Sequence, residues 1–141
     1  MAPRRAYLQP QAGRDGFART KKVYGNPINT ISLVAADVAL NGQVSVLRIP
    51  RDFIVQSMVA TFGACDSGAT LSMSIGDLAN NARFAATSTT PRAGGTVNLV
   101  ATAVNYQFPD DTDVILTTTA GAAGLGATPT VLITMEGFTG S

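Results

Sequence analysis

The chain has 141 residues, 45% apolar and 13% charged, with 14 Gly, 7 Pro, one Cys and neither His nor Trp. That length suits one domain with its own core rather than two. Without His the commonest general base and metal ligand are missing, and a single Cys leaves no intrachain disulfide to hold the fold.

The charged share is about half the globular average of roughly 25%. The folded surface must therefore be covered largely by Ser, Thr, Asn and Gln. Such a surface suits a chain that stays in contact with others, and a homo-oligomer is expected. No stretch approaches the roughly 20 apolar residues that span a bilayer. "MAPRRAYLQPQ" starts positive like a signal peptide but has no apolar segment behind it, so a soluble protein made in the cytoplasm is expected.

In chain order, residues 1–29 come first, as a basic extended arm. Residues 1–30 carry six cations against one acid (+5), whereas 31–141 carry four Arg against eight acids (−4). The arm is rich in Gln, Gly, Arg and Pro and has no periodic apolar pattern. Its candidate partner-binding residues are Arg4, Arg5, Tyr7, Leu8, Arg14, Phe17, Arg19, Lys21, Lys22 and Tyr24. Cations interleaved with apolar side chains fit an arm that orders on a protein partner. A plain solvated tail and a nucleic-acid contact are the alternatives, and six cations in thirty residues are thin for the latter.

Residues 30–141 read as strands almost throughout. "NTISLVAADVAL" (29–40) and "QVSVLRI" (43–49) flank Asn41-Gly42, a strong hairpin signal. "DFIVQSMVATF" (52–62) puts Ile54, Met58, Ala60 and Phe62 on one face. Cys65 follows in "FGACDSGA" and reads as a small buried residue, since no His is present to activate it. Residues 70–75 alternate Leu71, Met73 and Ile75 with Ser72 and Ser74, the period of a half-buried strand.

The turn "GDLANNARF" offers oxygens from Asp77, Asn80 and Asn81, but one carboxylate is too few for a calcium loop. The better reading is structural. Gly76 ends the strand, Asp77 caps the turn, Asn80-Asn81 tolerate left-handed backbone, and Arg83 reaches back to Asp77.

"TPRAGGT" (90–96) has a Gly pair after a cation but no following helix or Lys, so it reads as a tight turn rather than a phosphate loop. "TVNLVATAV" (96–104) is expected as a strand. In "PDDTD" (109–113), Asp110, Asp111 and Asp113 could hold a cation weakly, but a solvated turn explains them better. A glycosidase pair fails, because Asp110 and Asp111 are sequential and no aromatic subsites accompany them. "DVILTTT" (113–119) and "TVLITMEGF" (130–138) are expected as a final pair joined by a Gly/Ala-rich hairpin. Short strands with turns between them imply an all-β fold, a single antiparallel β-sandwich or jelly-roll-like domain. No catalytic, cofactor or metal site is expected.

The order "SGATLSMSIGD", "NNARF", "TPRAGGTV", "YQFPDDTDVILTTT", a Gly/Ala turn and "TVLITMEGF" resembles the head decoration, or cement, proteins of tailed bacteriophages. The pattern of strand, Gly-Asp, Ala-x-Arg-aromatic, Gly-Gly and two terminal strands spans roughly residues 47–138. An acid ahead of Arg83, expected from that pattern, is absent. The resemblance implies a β-sandwich on the outside of a capsid shell, often trimeric. Its partners would be the major capsid protein and neighbouring copies, without membrane or nucleic acid. A tail-tip or head-fibre module binding host carbohydrate is the alternative.

Overall fold

The computed structural model describes residues 21–25 and 30–139. Among the described residues nine strands form two antiparallel sheets: β1 (Lys21–Gly25), β2 (Ile31–Ser32), β3 (Gln43–Ile49), β4 (Phe53–Phe62), β5 (Ser72–Gly76), β6 (Ala85–Ser88), β7 (Gly95–Asn98), β8 (Thr112–Ala120) and β9 (Thr130–Thr139). One sheet has the order β1-β9-β4-β7, with β2 also paired to β9; the other is β3-β8-β5-β6. Inward side chains of both sheets, among them Ile49, Phe53, Met58, Leu71, Ile75, Leu116 and Met135, share one apolar core. This is the all-β sandwich that the alternation of β-branched and polar residues predicts.

The long strands β4, β8 and β9 fall within a residue or two of their expected bounds. On β4, however, the buried set is not Ile54, Met58, Ala60 and Phe62 alone. The pairing with β9 slips between Val55 and Ser57, leaving Gln56 as an extra residue. This bulge shifts the inward phase, so Phe53 and Val55 join Met58, Ala60 and Phe62 in the core. Ile54 is buried on the other side.

Four expectations differ. Residues 29–40 do not form one strand. After β2 the chain turns, because the Asp37 carboxylate accepts the Val34 N–H at 2.9 Å and three alanines offer little strand preference. Asn41-Gly42 makes no hairpin, since β2 lies in one sheet and β3 in the other. Asn41 takes a left-handed backbone (φ 66°), and the turn is sewn to β8 by Asn41 N–H to Thr118 O at 3.0 Å. Likewise β8 and β9 are not a pair, and the Gly/Ala-rich segment 121–129 crosses between sheets. The strand expected over 96–104 stops at Asn98 and gives way to a 3₁₀ turn at Ala101–Ala103.

β5 is buried on both faces rather than one. It lies between β8 and β6, and the following loop folds back over it. A Cβ at position 76 would collide with the Asn80 carbonyl, so glycine is required there.

Strand directions place the connections at two ends. Loops 33–42, 63–71, 89–94 and 121–129 share one end; loops 50–52, 77–84 and 99–111 share the other, where β1 begins.

Candidate functional site

Most of the charge on the sandwich lies at the end where β1 begins. Arg48 bonds Asp113 at 2.8 Å, and Ser45 Oγ donates to the same carboxylate at 3.2 Å. The guanidinium holds the Asp113 carboxyl below its usual range, with Ser45 adding to the effect, and Arg48 is raised in return. The Arg51 N–H donates to Asp111 Oδ1 at 2.9 Å, and Thr112 Oγ1 donates to the Asp110 carbonyl at 2.7 Å. Asp111 and Asp113 thus bond different groups instead of converging. Among the described residues no cluster of three or more His, Cys, Asp or Glu could hold a metal ion.

The turn after β5 follows its structural reading. Asn80 N–H donates to Asp77 Oδ1 at 2.8 Å, and Arg83 Nε donates to Asp77 Oδ2 at 2.6 Å. That bond raises the Arg83 guanidinium above its ordinary value. The guanidinium also lies 4.7 Å from the centre of the Tyr106 ring, clasping the 77–84 loop to the 99–111 loop. Asn80 and Asn81 do not use left-handed backbone, which falls instead on Asn41, Asp52 and Asn105. Behind the clasp, Phe84 and Phe108 stack at 5.4 Å, and Phe108 approaches Phe53 at 6.1 Å.

The opposite end is organised by an acid outside the expected turn and site residues. Asp66 is 7% exposed and accepts four backbone N–H groups: Gly68 and Ala123 at 2.9 Å, Thr70 and Leu71 at 2.8 Å. Burial alone would push its pKa up; the four donors more than offset this and hold the carboxyl far below the usual range. The Asp-Ser-Gly of "ACDSGA" is an Asx-turn signal that points to the first of these bonds. Beside it Cys65 is fully buried, and burial pushes its thiol up, as suits a packing residue. In "TPRAGGT", Thr90–Arg92 forms a 3₁₀ turn, Gly94 takes φ 98°, and Arg92 Nε donates to the Leu71 carbonyl at 2.7 Å.

Of the expected arm residues, Lys21, Lys22 and Tyr24 lie in β1, paired to β9 of the same chain. The Tyr24 ring packs edge-on to Phe53 at 5.0 Å, inside its own sandwich. Lys22 is exposed. Arg4, Arg5, Tyr7, Leu8, Arg14, Phe17 and Arg19 lie outside the described residues.

No family model and no curated protein matches the chain. Solved structures do. A chain of the capsid asymmetric unit of cyanophage Pam1 superposes with a TM-score of 0.63 at 19% identity, covering 97% of both chains. A chain from the capsid of Ralstonia phage GP4 gives a TM-score of 0.65 at 20% identity, covering 97% of this chain and 92% of that one. At such identity the likeness is one of fold. Both chains come from phage capsids, the kind of particle to which the order of turns and strands pointed.

Proposed function

We propose that this protein is a structural component of a phage virion that binds the outside of the capsid shell as a decoration protein, stabilises it, and carries out no catalysis. The observation that carries this reading is the fold shared, over 97% of the chain, with two chains of phage capsids. The chemistry supports it. The polar clusters described above bond to neighbouring loops and strands. The expected state is a homotrimer contacting the major capsid protein.

The arm fits this role. Residues 1–20 carry four Arg against one Asp, and the chain enters the sheet at Lys21, at the end that also holds Asp52, Asp110 and Asp111. A basic segment on a chain whose residues 31–141 carry a net −4 is attracted to the body of a neighbour. Exposed ion pairs contribute only about 0–1 kcal/mol each, so charge steers and Tyr7, Leu8 and Phe17 hold.

Labelling the protein on intact particles tests the reading. Many copies spread over the head support it. A few copies at the tail would instead support a fibre or tail-tip module that binds host carbohydrate.

A further inference from the structure

Among the described residues the two sheets leave the outer edges of β1, β7, β3 and β6 open. Three of these are guarded. β6 and β7 have four residues each, and β1 carries Lys21 and Lys22. Short edges and edge lysines are the usual protection against an added strand. By contrast β3 runs for seven residues, QVSVLRI, with no Pro and no Lys. Its guards are the bulge at Val46 and the side chain of Arg48, and Arg48 is drawn away to Asp113 at 2.8 Å.

Beside this edge the two sheets part. Tyr24, Ile31, Val131 and Ile133 of one sheet and Val46 and Leu47 of the other line an open cleft of about 360 Å³. An unpaired strand beside an apolar cleft fits an extended peptide, which pairs through its backbone and seats alternate side chains.

The chain itself holds a segment of that kind. Pro3 and Pro10 cannot donate to a ladder, and between them Arg4–Gln9 has every N–H intact. In an extended conformation Ala6 and Leu8 share one face, with Arg5, Tyr7 and Gln9 on the other. Leu8 stands 13 residues before Lys21, a reach of up to about 43–47 Å at about 3.3–3.6 Å per residue. That exceeds the roughly 33 Å length of the ten-residue β9, so the segment extends past its own body. Direction separates its own β3 from a neighbour's. β3 runs toward the end where β1 begins, so on its own chain the segment would lie parallel to β3 before turning into β1. Every described strand pair is antiparallel, the pairing that is more stable per residue. A neighbour's segment is free to run antiparallel.

We propose that Arg4–Gln9 of one copy adds as an antiparallel strand to the open edge of β3 in a neighbouring copy, with Ala6 and Leu8 seated in the cleft. This rests on the reading of the arm as reaching a neighbour and names where it lands. Its test uses no shell, so failure of head labelling and failure of this contact are separate results.

The test is cross-linking of full-length chains with a short bismaleimide, after thermal melting has shown each variant to be folded. The parent, whose Cys65 is buried, should not react. A mixture of Gln9→Cys chains with Ser45→Cys chains should give at least tenfold more cross-linked dimer than Gln9→Cys mixed with Leu78→Cys, a position 83% exposed on another loop. Adding Leu8→Asp to the Gln9→Cys chain should cut the yield about tenfold. Yield at the Leu78→Cys level, unmoved by Leu8→Asp, overturns the proposal and leaves the cleft to residues 26–29 of the same chain. So does a Gln9→Cys, Ser45→Cys double variant that, diluted into excess parent, cross-links at the mass of one chain, because its arm then lies on its own body.

Discussion

Phe108 ties three parts of the charged end together, and its removal should be felt across all of them. Its ring is fully buried, stacked on Phe84 at 5.4 Å, edge-on to Tyr106 at 5.2 Å and 6.1 Å from Phe53. Its backbone is fixed as well, donating to Phe53 O at 2.9 Å and accepting from Asp52 N–H at 2.8 Å. Phe108→Ala removes apolar burial and leaves a cavity that these anchored neighbours cannot close, a loss of about 3–5 kcal/mol. Against a total stability of about 5–15 kcal/mol this is a large fraction, and the melting temperature should fall by roughly 10–20 °C. Phe108→Leu keeps most of the volume and loses mainly ring–ring geometry, so about 1–2 kcal/mol is expected. A double-mutant cycle of Phe108→Leu with Phe84→Leu should show a coupling of about 0.5–1.5 kcal/mol, read from urea midpoints and slopes. A loss below about 1 kcal/mol for Phe108→Ala, or no coupling with Phe84, would refute the idea that this ring joins the loops.

Other outcomes can be checked on the same preparations. Because the folded Asp66 carboxyl is held below its unfolded value of about 3.9, its stabilisation is present above that pH and lost as pH falls further. Asp66→Asn should therefore be less stable than the parent at neutral pH, with the gap narrowing as urea titrations are taken below about pH 4; a constant gap would contradict the assignment. Arg83→Ala should destabilise by about 2–3 kcal/mol, because Asp77 is left buried without its guanidinium, and Arg83→Lys should recover only part of this. Removal of residues 1–20 should leave the melting temperature unchanged and weaken attachment to particles. Removal of 1–26 also deletes β1 and the Tyr24–Phe53 contact, so melting should fall as well; equal melting of the two truncations would argue against β1 as part of the sheet.

Where the physics is local, the sequence carries the structure. The Asp77–Arg83 clasp spans six residues, and its turn, cap and ion pair can all be read from "GDLANNARF". The long β-branched runs of β8 and β9 likewise need no distant information to favour extended backbone. Which sheet a strand joins is another matter. Asn41-Gly42 and the Gly/Ala segment 121–129 have hairpin composition, yet each crosses between sheets, because pairing is decided by which edges remain open and not by the turn. The bulge at Gln56 is invisible to a period-2 count for a related reason: the extra residue is defined only against its partner, Glu136 opposite Ser57 and Gly137 opposite Val55. Asp66 shows the same limit at the loop end. Its contacts with Gly68, Thr70 and Leu71 are near in sequence, but Ala123 is 57 residues away, and that fourth bond joins two loops into one rigid surface. The separation of charge between the two ends belongs to this class too. Each aspartate and arginine is visible in the chain, but only the alternating strand directions gather most of them at one end and leave Asp37, Asp66 and Arg92, each bonded to backbone, at the other.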